Sequence, residues 1–135
     1  MRGATNSTGL LDEEVTFTPN GTYVASISRK SIRFDGRYVV GSIQINITSA
    51  PNSYEFVIGT LSKSAKYSYA SYHACVTTGG KVGFLWMENN SIKCWINGGV
   101  NNEDMGFPLY FLAKEGGGGR KLISRILSFF GRCRR

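Results

Sequence analysis

Residues 73–96 read His-Ala-Cys-Val-Thr-Thr-Gly-Gly-Lys-Val-Gly-Phe-Leu-Trp-Met-Glu-Asn-Asn-Ser-Ile-Lys-Cys-Trp-Ile, and this stretch decides the fold. Gly79-Gly80 and Asn89-Asn90 are residues that accept a positive φ, and each pair separates runs rich in β-branched and aromatic side chains. That combination predicts a three-stranded meander with two tight hairpins. The same pattern extends outward in both directions. Strand-like runs occupy 15–18, 23–27, 31–34, 38–47, 55–60, 73–77, 82–87, 91–96 and 108–112. Asn20-Gly21, Asp35-Gly36, Pro51-Asn52 and Asn97-Gly98-Gly99 punctuate them as turns. Ala and Leu are sparse across this region, so helix has little claim on it. A single sheet of nine short strands would leave one apolar face wet, and two packed sheets or a closed barrel are therefore expected. The run 38–47 shows the alternation: Val39, Ile43, Ile45 and Ile47 share a face predicted to meet the core. Val40, Ser42, Gln44 and Asn46 share the other.

The charge is unevenly placed. Ten Lys/Arg against nine Asp/Glu leave residues 1–119 at +1, while six further cations without an acid carry residues 120–135 at +6. The basic balance therefore describes the tail, and the β region is not read as a basic binding face. Residues 1–14 read as a polar linker stub with no apolar core of a signal peptide, and no apolar run is long enough to span a bilayer. The β-sandwich domain is expected over 15–115, followed by four glycines at 116–119. Such a run is entropically costly to hold in a regular element and reads as a flexible tether, of the kind a designed fusion would use.

After the glycines the period changes from two to 3.6. Leu122, Ile123, Ile126, Leu127 and Phe130 fall on one helical face, and Lys121, Arg125, Ser128, Arg132 and Arg135 fall on the other. Gly131 is a natural helix end, and the arginines beyond it complement the negative end of the helix dipole. A short cationic amphipathic α-helix over 120–135 is predicted, suited to an anionic membrane surface or to an apolar groove of a partner protein. Docking back on the β domain is the blander alternative. Nucleic acid is disfavoured as a partner, because much of the tail surface is apolar.

No catalytic constellation is evident, and neither cofactor nor metal is expected. His73 has no second histidine at ligand spacing and reads as a polar side chain at a sheet edge. Glu13-Glu14 and Glu103-Asp104 fall in predicted loops, so no pair of carboxylates converges for glycoside hydrolysis. Cys75 and Cys94 read as buried reduced thiols, with a bridge open to them only if their strands are adjacent, and Cys133 reads as an exposed thiol. Four Asn-X-Ser/Thr sequons, at Asn6, Asn20, Asn46 and Asn89, read as turn and strand residues. Surface recognition remains. Tyr67, Tyr69 and Tyr72 stand in a Ser/Tyr-rich segment, 62–72, with the composition of an adaptable contact loop, although ordinary loop tyrosines would look the same. Trp86 and Trp95 lie on neighbouring predicted strands, where core packing is the expected role ahead of ligand stacking.

The stretch 23–113 resembles the C-terminal β-domains of bacteriophage tail and head fibres. The runs carrying the likeness are Ser-Ile-Arg-Phe at 31–34, Val-Val-Gly-Ser-Ile-Gln-Ile at 39–45, Phe-Val-Ile-Gly-Thr-Leu at 56–61 and Phe-Pro-Leu-Tyr-Phe-Leu-Ala at 107–113. They share an organisation, a polar stub leading into many short Gly-punctuated strands that close on an aromatic one. The resemblance implies a jelly-roll-like antiparallel sandwich in a virion, assembled as a homotrimer, that displays loops for a host-cell surface glycan or protein. The alternative expectation is a non-binding oligomerisation scaffold whose tail helix docks in a protein groove.

Overall fold

The structure, a computed structural model, describes residues 12–114. It is all-β: two antiparallel sheets built from nine strands. These are β1 (Glu13–Glu14), β2 (Phe17–Pro19), β3 (Val24–Phe34), β4 (Tyr38–Ala50), β5 (Phe56–Leu61), β6 (Ala70–Val76), β7 (Val82–Glu88), β8 (Ser91–Ile96) and β9 (Val100–Leu112). One sheet has the order β1-β3-β4-β9 and the other β2-β5-β8-β7-β6. The expected meander is present as β6-β7-β8. Among the described residues no helix is long and apolar enough to cross a membrane. The glycine run, the tail helix with its predicted contact residues, and Cys133 lie outside the described residues.

Alternation builds the core. Val39, Ile43, Ile45 and Ile47 of β4 are buried as expected, beside Met105, Phe107, Leu109 and Phe111 of β9. From the other sheet come Ile58, Leu85, Met87, Ile92 and Ile96, all in the same apolar cluster. Because every second residue of both sheets enters this one layer, the remaining residues are left on two outer faces. The sheets join along one side, where Thr77 bridges to Met105 and the Thr78 N–H donates to the Asp104 carbonyl at 2.9 Å. That contact covers the edge of β6.

Several elements exceed the sequence expectation. The runs 23–27 and 31–34 are one strand, β3, with irregularities between Val24 and Ser26 and between Ile27 and Arg29. The polar residues between those runs bury no side chain, but their backbone pairs with β4, and this continues the strand. β9 begins at Val100 rather than near 108 for the same reason, since β4 runs on to Ala50 and offers it a partner. Glu103-Asp104, expected in a loop, therefore lies in a strand, where the Asn46 amide donates to Asp104 Oδ1 at 2.9 Å across the pair. Glu13-Glu14, likewise expected in a loop, pairs with Phe34 and Arg33 as β1. Cys75 and Cys94 are both buried free thiols; β7 lies between their strands, so these are not adjacent, although the two thiols meet across it.

Candidate binding face on the five-stranded sheet

The outer face of β6-β7-β8 is aromatic. In β7, Leu85 and Met87 enter the core, and Phe84 and Trp86 therefore point outward. In β8, Ile92, Cys94 and Ile96 are buried, which turns Lys93 and Trp95 outward. The hairpin register sets Phe84 opposite Trp95 and Trp86 opposite Lys93. Asn89, at φ 56°, supplies the tight turn that fixes that register.

Tyrosines complete the face from β6. The pairing of β6 with β7 is irregular between Ala70 and His73, and Tyr69 and Ser71 both adopt left-handed backbone, at φ 58° and 56°. Such a bulge re-aims side chains. Here it brings the Tyr72 ring 5.7 Å from both Phe84 and Trp86, with interplanar angles of 27° and 24°. Tyr69 stands 5.8 Å from Trp86, and Phe84 stands 6.2 Å from Trp95. His73 holds the bulge from within: its Nδ1 lies 2.7 Å from the Ser71 carbonyl, a geometry in which the ring nitrogen donates. His73 Nε2 is buried without a partner, and β6 is an edge strand of its sheet, as expected for this residue.

Between these rings runs an open groove of about 410 Å³, lined by Glu55, Tyr69, Tyr72, Phe84, Trp86 and Trp95. Tyr69 and Tyr72 are 61% and 54% exposed. Glu55 is the one charged side chain of the lining, and its Oε2 receives the Lys93 ammonium at 2.6 Å. Lys93 also reaches Glu88 at 3.4 Å, and its pKa is raised by the Glu55 contact.

Comparison with protein-family models, curated proteins and solved structures gives no match. The geometry alone therefore carries the site.

Of the three tyrosines singled out from the sequence, the structure brings Tyr69 and Tyr72 together. Tyr67 is equally exposed but lies outside the groove, with the Lys66 ammonium 5.7 Å above its ring. The expectation of core packing for the tryptophans is met only in part, by the burial of Trp86. Trp86 is 7% exposed yet stands outside the apolar core, and its cover comes from Tyr69 and Tyr72 on the outer face. Trp95 is half-buried beside it. A signal for this was present: Trp95 shares strand parity with Ser91 and Lys93, opposite Ile92, Cys94 and Ile96, and the hairpin register then carries Phe84 and Trp86 to the same side. Phe84, Glu55 and Lys93 were missed as site residues, because they become neighbours only when β5, β7 and β8 pair.

Elsewhere the polar chemistry is structural. Glu103 accepts from Lys81 Nζ at 2.8 Å and from the Thr77 hydroxyl at 2.5 Å. The Lys81 contact, then that of Thr77, holds its carboxyl down at about 2. Cys94 is pushed well up by the neighbouring Cys75 thiol and by burial, and so remains a protonated core thiol.

Proposed function

We propose that this chain is a non-catalytic binding and display module of the virion fibre type. Its β domain is a jelly-roll-like sandwich that trimerises and recognises a host-cell surface glycan or protein. Its cationic amphipathic tail engages an anionic membrane or the groove of a partner protein. One observation carries the binding reading: five aromatic side chains and one carboxylate converge on an open sheet face outside the core. Solvent-exposed tyrosines clustered in this way leave apolar area wet, a cost that contact with a partner removes. Tyr and Trp offer large, rigid contact area with little side-chain entropy to lose, which suits them to recognition.

Attachment to a panel of bacterial strains tests the reading. The intact chain is expected to bind some strains and not others, and Trp95→Ala to lose that binding while remaining folded, with only a modest fall in melting temperature. Equal attachment by the two proteins would remove the aromatic face from recognition. Sedimentation of the intact chain tests the trimer, which a clean monomer at micromolar concentration would exclude. Vesicle binding tests the tail: preference for anionic over neutral vesicles should vanish on deleting residues 116–135.

A further inference from the structure

We infer that the groove between β6, β7 and β8 is a subsite for a neutral saccharide chain, an inference that rests on the recognition reading above and specifies its ligand. Three observations converge on that chemistry. The first is the set of ring planes. Tyr72 lies within 27° of both Phe84 and Trp86, so these three rings share a rough stacking direction, and Tyr69, tilted 53° from Tyr72, borders them without closing a cage. A platform of this kind matches the flat, apolar C–H face of a pyranose, whereas a cage closed around one centre would suit an ammonium group.

The second is the state of the charges. Glu55 would attract a cationic ligand if its charge were free, but Lys93 compensates it at 2.6 Å. The same ammonium is shared with Glu88, so it is poorly placed to draw an anion, and among the described residues no Lys, Arg or His lines the groove. What remains at the rim is a carboxylate with acceptor capacity beside an ammonium donor. Neighbouring hydroxyl groups, each both donor and acceptor, satisfy such a pair without bringing in a charge.

The third is the shape of the site. At about 410 Å³ the groove falls in the range of ~300–1,000 Å³ typical of small-ligand sites, and it is open, so a chain can enter and leave along it. An extended proline-rich peptide would also stack on aromatic rings, but its prolines have no N–H to donate to the Glu55 carboxylate, as sugar hydroxyls do.

The site reports on itself. Trp86 and Trp95 are the two tryptophans of the chain, and both line the groove, so intrinsic fluorescence reads its occupancy directly. The intact protein would be titrated with cellohexaose, maltohexaose, mannohexaose and N-acetylchitohexaose, and in parallel with a proline decapeptide and a hexagalacturonate. The expected result is a saturable change with at least one neutral hexamer, weakened about tenfold in Tyr72→Ala. Glu55→Gln should weaken it as well, and Tyr110→Ala, on the opposite sheet, should leave it unchanged. Saturation by the decapeptide or the hexagalacturonate alone, or by none of the ligands, would overturn the inference. Cell attachment separates the two levels: if Tyr72→Ala abolishes attachment while no neutral hexamer binds, the saccharide is wrong and the recognition face stands. If attachment survives Tyr72→Ala, both fall. Periodate treatment of the cells, which cleaves vicinal diols, should abolish attachment, and protease treatment should not.

Discussion

The two outer faces of the sandwich are made by the same rule and put to different use. On the four-stranded sheet the outward residues of β3, β4 and β9 are mostly polar and satisfy one another. Arg29 reaches Gln44, Arg33 reaches Asp12, and Asn46 donates to Asp104. Its one aromatic feature is the Tyr38–Tyr110 stack at 5.3 Å, beside Val40. On the five-stranded sheet the corresponding positions hold Tyr72, Phe84, Trp86 and Trp95, with Lys93 tied to Glu55 at the margin. Alternation requires one apolar face per sheet, and a second is not needed to form the core. The aromatic outer face, set against its polar opposite number, is the one that the proposed recognition uses.

That comparison can be broken at several levels. The largest effects should come from the inner faces, where the two sheets are equivalent. Ile45→Ala in β4 and Leu85→Ala in β7 should each cost about 2–5 kcal/mol in chemical denaturation, because both side chains are fully buried. A much smaller cost for one would mean that its sheet is not packed as described. Two glycines, one from each sheet, give the next effect. A Cβ on Gly83 in β7 would collide with the Trp95 carbonyl, whereas on Gly106 in β9 its nearest neighbours stand 3.8 Å away. Gly83→Ala should therefore lose about 1–3 kcal/mol, and Gly106→Ala should be near neutral.

Smaller effects distinguish the outer faces. Tyr72→Ala and Tyr110→Ala, 54% and 60% exposed, each lose stacking contacts and should cost a similar ~0.5–1.5 kcal/mol. Only the first should impair attachment. The smallest effect concerns the join between the sheets. Because the Glu103 carboxyl is held at about 2 against an ordinary 4.5, its contribution is complete above the ordinary value. It is lost as pH falls from there toward 2. Glu103→Gln should flatten the dependence of the melting temperature on pH in that window, and high salt should weaken the effect in the parent protein.

Much of the fold was legible because it follows from a period of two and from turn residues. The β6-β7-β8 meander and the buried set Val39, Ile43, Ile45 and Ile47 needed nothing more. What escaped was strand length. Residues 28–30 and 100–107 become strand because β4 offers them a backbone partner, and side-chain pattern does not register such a partner. The site was half legible. Tyr69 and Tyr72 stood out by composition, but Tyr67 did so equally and faces elsewhere. The side on which Trp86 is buried was not legible because β7 is apolar at both parities, so its own sequence does not say which side faces out. The polar parity of Ser91 and Lys93, read through the Asn89-Asn90 turn, resolves that ambiguity, and the structure follows it.

The most direct test of the difference between the faces is hydroxyl-radical footprinting of the intact chain, free and attached to a bacterial strain that it binds. The account predicts protection of Tyr69, Tyr72 and Trp95 on attachment, with Tyr38 and Tyr110 modified as in the free protein. Protection of the Tyr38–Tyr110 stack with Tyr72 left reactive would contradict it.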